Sequence, residues 1–274
     1  MKVKCEIYRD SFQNYKRYGI PKAQLVIADV PYNLGNNMYG SNPMWYVGGD
    51  NKNGESKLAG KAAFNSDYNF NLYEFFHFCH KMLKKEPKEK GKAPCMIVFC
   101  SFEQIPALQA AAKKHGFNNS IHITFCKNYS AQVLKANMRI VGATEHALLL
   151  YRDKLPKFNN NGKMVFDWMP WEKDPLGKYP KIHPTQKPVC ILKKLIEIFT
   201  DEGDEVIDPC CGSGSTLRAA MELCRPSYGF EIDRNFYNRS KNEMLVENYG
   251  EVLMRSKDKE TGQRNIFDMI GGAG

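Results

Sequence analysis

One segment of the chain, from Val206 to Asp233, constrains the fold more than any other. It begins as an apolar strand that ends at Asp208, and a turn of small residues around Gly212 and Gly214 follows. A helix pattern then begins, and a second strand ends at Glu231, nineteen positions after Gly212. Such a unit of strand, glycine turn, helix, strand and acid is typical of a site for an adenosine-bearing ligand at the carboxyl edge of a parallel sheet.

The chemistry of this turn indicates which ligand it takes. The turn holds two glycines in G-S-G, whereas a pyrophosphate site has G-x-G-x-x-G, and Asp208 adds a negative charge in front of it. Both features disfavour phosphate and favour a cation, and glycine lets the backbone come close to the ligand. We therefore predict S-adenosylmethionine as cofactor, with Glu231 accepting hydrogen bonds from the ribose. A tight turn with a chance acid stays open as the alternative for this segment alone.

The rest of the chain alternates between apolar strand patterns and helix patterns. Strands are predicted near 3–8 and at 25–28, 95–100, 121–126, 146–151, 205–209 and 227–233, and helices at 71–85, 102–116, 188–200 and 214–224. This alternation predicts an α/β fold with a mostly parallel central sheet and helices on both faces. Residues 33–68 and 152–183 fit neither pattern and are expected to be long loops.

Composition limits the partners and the compartment. The net charge of +9 favours a polyanionic partner, although a merely basic surface is the alternative. Nine cysteines without C-x-x-C spacing, most of them in apolar runs such as those of Cys95, Cys100 and Cys126, predict buried, reduced thiols in a cytoplasmic protein and no metal site. No apolar run of membrane-spanning length and no secretory signal is present, so no membrane partner is expected.

A second strand end carries a different set of groups, in the sequence DVPY at 29–32. The exocyclic amine of a nucleobase is a weak nucleophile, and a carboxylate such as Asp29 can accept one of its hydrogens. A backbone carbonyl held outward by a proline can accept the other, and Tyr32 can stack on the base, which contributes about 1–3 kcal/mol. The base must be flipped out of the duplex to be reached. These groups predict methyl transfer by positioning and preorganised polar groups.

These motifs resemble those of the amino-group DNA methyltransferases, which methylate adenine N6 or cytosine N4. DVPY matches three of the four positions of their catalytic motif [DNS]-P-P-[YFW], with Val30 in place of the first proline. DPCCGSGS at 208–215 is similar to their cofactor motif D-P-F-x-G-S-G-T, with Cys210 in place of phenylalanine. HPTQKP at 183–188, FCKN at 125–128 and TEHALLLYRD at 144–153 also resemble family segments. The likeness extends from about residue 20 to residue 245.

The resemblance implies a Rossmann-like methyltransferase fold in a single domain, 1–274, of the permuted β type, because the catalytic motif precedes the cofactor motif. It implies a catalytic half at 20–128, a target-recognition region with long DNA-binding loops at 129–182, and a cofactor half at 183–250. The implied catalytic residues are Asp29, Val30, Pro31 and Tyr32; the cofactor residues are Asp208, Cys210, Gly212, Ser213, Gly214, Glu231, Thr185 and Lys187; the DNA-binding residues are Lys135, Asn137 and Arg139.

An aspartate at the first catalytic position favours methylation of adenine N6 in double-stranded DNA. A cytosine-N4 enzyme is one alternative, and a catalytically impaired DNA-binding relative is another, since Val30 and Cys210 depart from the motifs. A nicotinamide dehydrogenase would leave DVPY unexplained. By the same resemblance, a homodimer and a cognate restriction endonuclease are the further partners to consider.

Overall fold

The computed structural model describes residues 3–31, 70–128, 132–135, 140–183 and 185–246, and for 132–135 and 140–141 it describes the backbone alone. The predicted loop 33–68 lies outside these ranges.

Ten strands form two sheets within the described residues. They are β1 (Cys5–Tyr8), β2 (Leu25–Asp29), β3 (Cys95–Cys100), β4 (Asn119–Cys126), β5 (Gln132–Lys135), β6 (Ile140–Gly142), β7 (Thr144–Tyr151), β8 (Trp168–Pro170), β9 (Val206–Asp208) and β10 (Ser227–Phe230). Eight form the main sheet in the order β1-β10-β9-β2-β3-β7-β4-β8. The first five strands in this order, β1, β10, β9, β2 and β3, are parallel to one another. Strand β7 is antiparallel to both of its neighbours, and β8 is parallel to β4. The predicted, mostly parallel α/β sheet is confirmed.

Helices cover both faces of this sheet, as predicted. They are α1 (Leu72–Met82), α2 (Ile105–Lys114), α3 (Val189–Phe199), α4 (Ser215–Glu222) and α5 (Arg234–Arg239), with 3-10 turns at Phe12–Arg17 and Phe102–Gln104 and a π-helical turn at Ser240–Met244. Because successive side chains of a strand point to opposite faces, Val26 packs in one core with α1 and α2, and Ile27 packs in the other with α3 and α4.

Local sequence explains where these helices begin and which face they bury. The side chain of Asn71 accepts hydrogen bonds from the backbone N–H groups of Tyr73 and Glu74 and so caps α1. In α3 the predicted apolar stripe is buried throughout, at Ile191, Leu192, Leu195, Ile196 and Phe199. The hydrophobic pattern alone therefore located these helices to within a few residues.

The strand order reverses between β9 and β2, and this reversal positions the functional site. From β9 the sheet extends through β10, the next strand in the chain, to the N-terminal strand β1, whereas from β2 it extends to β3 on the other side. Loops that leave the carboxyl ends of two such strands diverge and open a crevice, which is where parallel sheets bind ligands. Asp29 ends β2 and Asp208 ends β9, so both predicted motifs open into the same crevice.

The structure also corrects three expectations. Residues 129–143 were expected to be a loop, but β5 and β6 pair there as an antiparallel hairpin. The irregular stretch 152–183 contains β8, an edge strand of the main sheet. Cys126, expected to be buried in an apolar strand, is exposed. No helix in the described ranges is long and apolar enough to cross a membrane.

Candidate active site

Asp29 stands at the point where a fully buried strand reaches the crevice. Leu25 to Ala28 are buried, and β2 pairs with β9 at Leu25 and Val26 and with β3 as far as Asp29, so β3 fixes the backbone that carries Asp29. One carboxylate oxygen, Oδ2, accepts a hydrogen bond from Nζ of Lys187 at 2.7 Å. The predicted catalytic carboxylate is thus part of an ion pair with a residue 158 positions away.

Lys187 is itself deeply buried, with 8% of its side chain exposed. Its Nζ lies 3.9 Å from Oε2 of Glu145 and 5.4 Å from the centre of the Phe99 ring. Burial disfavours the charged amine, but the carboxylates of Asp29 and Glu145 outweigh this effect and raise the pKa of Lys187 above its ordinary value. Lys187 is therefore a buried cation shared by two carboxylates.

The loop that follows Asp29 is held by a residue that sequence reasoning missed. Gln104 donates a hydrogen bond from Nε2 to the carbonyl oxygen of Pro31 at 3.0 Å and accepts one from the backbone N–H of Ser101 at 3.1 Å. Val30 donates from its backbone N–H to the Phe99 carbonyl at 3.3 Å, and its side chain is only 2% exposed. The valine that replaces proline therefore acts as an apolar anchor. Ser-x-x-Gln directly after a strand, a capping pattern, was the available signal for Gln104.

Asp208, on the neighbouring strand β9, is the most deeply buried carboxylate of the crevice, with 4% exposure. Its Oδ1 accepts a hydrogen bond from the backbone N–H of Cys210 at 3.0 Å. Burial raises the pKa of Asp208 to about 7, the charges of Asp29 and Glu231 add to this rise, and hydrogen bonds from Thr216 and Cys210 oppose it.

Glu231 follows β10 and faces the same crevice. Its Oε1 accepts a hydrogen bond from the backbone N–H of Asp233 at 2.7 Å. Burial is again the main cause that raises the pKa of Glu231 to about 7. Asp233 also accepts a hydrogen bond from the backbone N–H of Phe236 at 2.8 Å and so caps α5.

Together, Asp208 and Glu231 bring two carboxyl groups with raised pKa values to this part of the crevice. A ligand that carries a cation would favour the ionised form of Asp208, and a pair of ribose hydroxyls would satisfy the oxygens of Glu231. A phosphate would be repelled by both. The donor set therefore fits S-adenosylmethionine, with its sulfonium and amine, in the way that the sequence predicted.

The turn between β9 and α4 has a backbone that only small residues can follow. Gly212 and Gly214 have φ values of 49° and 75°, in the left-handed region. A Cβ added to Gly214 would lie 3.3 Å from Cβ of Ser240, whose hydroxyl donates a hydrogen bond to the Gly212 carbonyl at 2.7 Å. The hydroxyls of Ser213 and Ser215 lie 2.9 Å apart inside the turn. Cys210 lines the same turn with a half-buried side chain.

The remaining predicted site residues are placed as follows. Thr185 is exposed, and its hydroxyl lies 3.0 Å from Nδ1 of His183 on the loop that precedes α3. Lys135 lies on β5, where the backbone is described. Tyr32, Asn137 and Arg139 lie outside the described residues. Their roles, and those of the other predicted site residues, stay predictions.

Two more charged residues continue the ion pair away from Asp29. Nζ of Lys127 lies 2.5 Å from Oε1 of Glu145, and it lies 5.2 Å from the centre of the Trp171 ring. The backbone N–H of Lys127 also donates to the carbonyl of Ala143 at 2.7 Å, which closes the base of the β5–β6 hairpin. The segments FCKN and TEHALLLYRD marked this region in the sequence without giving a role to Lys127 or Glu145.

A mostly parallel sheet whose switch point carries an acidic glycine turn is the architecture of a methyltransferase, and solved structures agree with this. The crystal structure of the M1.HpyAVI–SAM complex has a TM-score of 0.63 at 23% identity and covers 86% of this chain and 97% of that chain. PvuII DNA methyltransferase, described as cytosine-N4-specific, has a TM-score of 0.65 at 15% identity over 96% of both chains.

The family is defined by sequence. The N6/N4 DNA methylase family matches residues 23–242, and the chain belongs to this family, which uses S-adenosylmethionine as methyl donor. The DNA adenine methyltransferase YhdJ of Escherichia coli (strain K12) is 25% identical over 290 residues, which cover 95% of this chain and 90% of that protein. The type II methyltransferase M2.DpnII of Streptococcus pneumoniae is 25% identical over 254 residues, or 88% and 90% of the two chains.

Proposed function

We propose that this DNA methyltransferase acts on the N6 amine of an adenine that is flipped out of double-stranded DNA. The observation that carries the proposal is the position of Asp29, at the strand end next to the acidic cofactor turn, where its charge acts on Asp208. The aspartate at the first motif position and the adenine-specific relative from Escherichia coli support adenine as the target base.

In this mechanism the chain supplies acceptors and a fixed geometry. Asp29 accepts one hydrogen of the amine and the Val30 carbonyl accepts the other, which localises the lone pair on nitrogen. Methyl transfer would form a bond from that nitrogen to the methyl carbon and break the carbon–sulfur bond, with its electron pair going to sulfur, and one amine proton would pass to solvent. Gln104 holds the Pro31 carbonyl and so keeps the two acceptors in place. Tyr32 stacks on the base.

The cofactor supplies an activated methyl group, and the chain holds it at the turn between β9 and α4. Asp208 and the turn at 210–214 face its methionine half, and Glu231 accepts the ribose hydroxyls. The burial of both carboxylates supports this assignment, because a cationic ligand would relieve their raised pKa values. Thr185 stands on the loop before α3, close in sequence to Lys187, and is assigned to the same binding region.

The β5–β6 hairpin is the element that we assign to DNA recognition, together with the residues around it. It stands outside the main sheet and its base is tied to Lys127, next to the charged residues that reach Asp29. Lys135, Asn137 and Arg139 fall in this segment. A dimer of this protein, a cognate restriction endonuclease and a cytoplasmic location are proposals of the same kind, and the free cysteines support the last of them.

The test is methyl transfer from labelled S-adenosylmethionine to DNA of mixed sequence, followed by digestion and identification of the labelled nucleoside by mass. N6-methyladenosine in its deoxy form is expected. N4-methyldeoxycytidine would overturn the assignment of the base, and cofactor binding without any transfer would favour the impaired DNA-binding relative instead.

The Asp29→Ala variant tests the catalytic assignment. We expect kcat to fall by about 10²-fold or more, since a preorganised acceptor at the reacting group is lost. The dissociation constant of S-adenosylmethionine should stay within about twofold, because Asp29 contacts the amine and not the donor. Since the substitution leaves Lys187 without its 2.7 Å partner, the melting temperature is measured beside the kinetics. Near wild-type kcat would refute the role of Asp29.

A further inference from the structure

Four charged side chains form a continuous line that starts at the catalytic carboxylate. This ion-pair array consists of Asp29, Lys187, Glu145 and Lys127, with successive nitrogen–oxygen distances of 2.7, 3.9 and 2.5 Å. The charges alternate in sign along the line. Both lysines are buried, with 8% and 9% of their side chains exposed, so water screens these contacts little.

Burying such an array costs desolvation free energy, so a functional reason for it is expected. Two buried ammonium groups lose their hydration, and a buried ion pair often contributes less to stability than apolar side chains of similar volume. The neighbours of both lysines are aromatic, since Lys187 lies over Phe99 and Lys127 over Trp171. A methionine would suit such surroundings. Stability alone therefore does not explain why lysine stands at 187, whereas contact with Asp29 does.

The surroundings of Asp29 show what Lys187 offsets. Burial is the main cause that raises the pKa values of Asp208 and of the thiols of Cys100 and Cys210, and the charge of Asp29 adds to each rise. In turn, an ionised Asp208 disfavours the negative charge of Asp29. The titratable groups that interact electrostatically with Lys187 are Asp29, Glu145, Cys100, Lys181 and His183. Lys187 contacts Asp29 directly, with its Nζ 2.7 Å from Oδ2 of the carboxylate.

We propose that Lys187 is a positioning residue, which keeps the Asp29 carboxylate ionised and fixes its orientation, while Glu145 and Lys127 hold Lys187 in place from the other side. This assignment replaces the cofactor contact that the sequence suggested for Lys187, and it rests on the proposed function of Asp29. The ionised form is the one that can accept a hydrogen from the target amine, so the lysine sets the pH range in which the enzyme works.

The test compares Lys187→Met with Lys187→Arg and with a matched control. Lys194→Met removes another lysine from the same region of the chain, one that is half exposed and paired with Glu172, outside the site. For each variant, kcat and KM are measured as a function of pH on DNA that the wild type methylates. The titration of the Asp29 carboxyl is followed by carbon NMR without cofactor or DNA.

For Lys187→Met we expect kcat at neutral pH to fall by about tenfold or more, and the acid limb of kcat to move upward by about one pH unit or more. The Asp29 carboxyl should titrate at higher pH in the NMR experiment as well. The dissociation constant of S-adenosylmethionine should stay within about twofold of the wild type. Lys187→Arg, which keeps the charge, should retain the wild-type acid limb, and Lys194→Met should behave as the wild type.

Other results would overturn the proposal. If Lys187→Met weakens cofactor binding but leaves the acid limb and the NMR titration unchanged, then Lys187 is a cofactor residue. If the melting temperature falls and neither titration moves, its role is structural. Should Lys187→Met fail to fold, Lys187→Gln replaces it, since glutamine keeps a hydrogen-bond donor without the charge. Absence of transfer by the wild type would contradict the proposed function itself, and the NMR titration would still test the contact.

Discussion

At the scale of single residues, the two carboxylates of the cofactor turn make ligand binding depend on pH. Asp208 and Glu231 both have pKa values raised to about 7, mainly by burial. Each is protonated more readily in the folded protein than in the unfolded chain. Without ligand, their contribution to stability is therefore present at low pH and is lost as the pH rises through about 7.

A cationic ligand reverses this relation, because it binds best when the carboxylates are ionised. We expect the affinity for S-adenosylmethionine to fall by about tenfold or more from pH 8 to pH 6, as the pair becomes protonated. The rise in melting temperature that the cofactor causes should likewise be larger at pH 8. Isothermal titration calorimetry in buffers of different ionisation enthalpy would show that binding releases protons near neutral pH.

The control for this experiment is Asp208→Asn, which removes one of the two titrating groups. The variant should bind S-adenosylmethionine more weakly at pH 8 and lose much of the pH dependence. An affinity that stays constant between pH 6 and 8 in the wild type would show that the donor does not lie against these carboxylates.

The same residues show what the sequence could reveal about the site. Asp29, Asp208 and Glu231 were identifiable because each ends a buried run, and the carboxyl ends of parallel strands meet at one edge. Lys187 was found as part of a motif, but its contact with Asp29 was not, since 158 positions separate the two residues. The capping pattern Ser-x-x-Gln marked Gln104 but not its hydrogen bond to Pro31, and Glu145 acts through a contact with Lys187 that no local pattern records.

At the scale of elements, the contact between β10 and α4 decides how closely the cofactor turn packs on the sheet. Gly229 pairs with Asp208 across the β9–β10 ladder. A Cβ at this position would lie 2.8 Å from Cδ1 of Leu217 and 3.0 Å from Cβ and Sγ of Cys211. Both neighbours belong to the turn or to the helix that it opens, so a methyl group here would push them away from the strand.

We expect Gly229→Ala to lower the free energy of unfolding by about 1–3 kcal/mol, the usual cost of overpacking a core. It should also weaken the binding of S-adenosylmethionine, because the displaced turn carries the groups assigned to the cofactor. Urea denaturation and calorimetry measure the two effects.

The matched experiment adds Leu217→Ala, which removes the nearest clashing atom. If the close approach is the cause, the double variant should lose less stability than the sum of the single variants. Additive losses would mean that Gly229 is needed for another reason.

The helices and strands differ in how far the sequence could predict them. The helices α1, α2, α3 and α4 were located by their apolar period or by a capping residue, which are local signals. The reversed direction of β7 was not predictable, since it depends on how the chain returns after the hairpin and not on the residues of TEHALLLY. The edge strand β8 has three residues, two of them exposed, and so lacks the buried pattern of a strand.

At the scale of the whole molecule, the net charge of +9 makes DNA the partner whose binding should respond most to salt. Binding to a duplex releases condensed counterions, so the logarithm of the association constant falls linearly with the logarithm of salt concentration. We expect the KM for DNA to rise by at least about tenfold between 50 and 200 mM salt. The affinity for S-adenosylmethionine should change far less, because its proposed site is buried.

Variants of single lysines show which part of the surface carries this effect. Lys135 lies on the hairpin assigned to DNA recognition. If it contacts a phosphate, Lys135→Ala should reduce the slope of the logarithm of the association constant against the logarithm of salt concentration by about one. Lys90→Ala is the control, because this exposed lysine precedes β3 and so lies toward the amino ends of the strands, away from the crevice. A loss of sequence preference at one base pair with an unchanged slope would instead identify Lys135 as a base-reading residue. Equal effects of both variants would show that the positive charge acts only as a diffuse attraction and that the hairpin does not dock on the duplex.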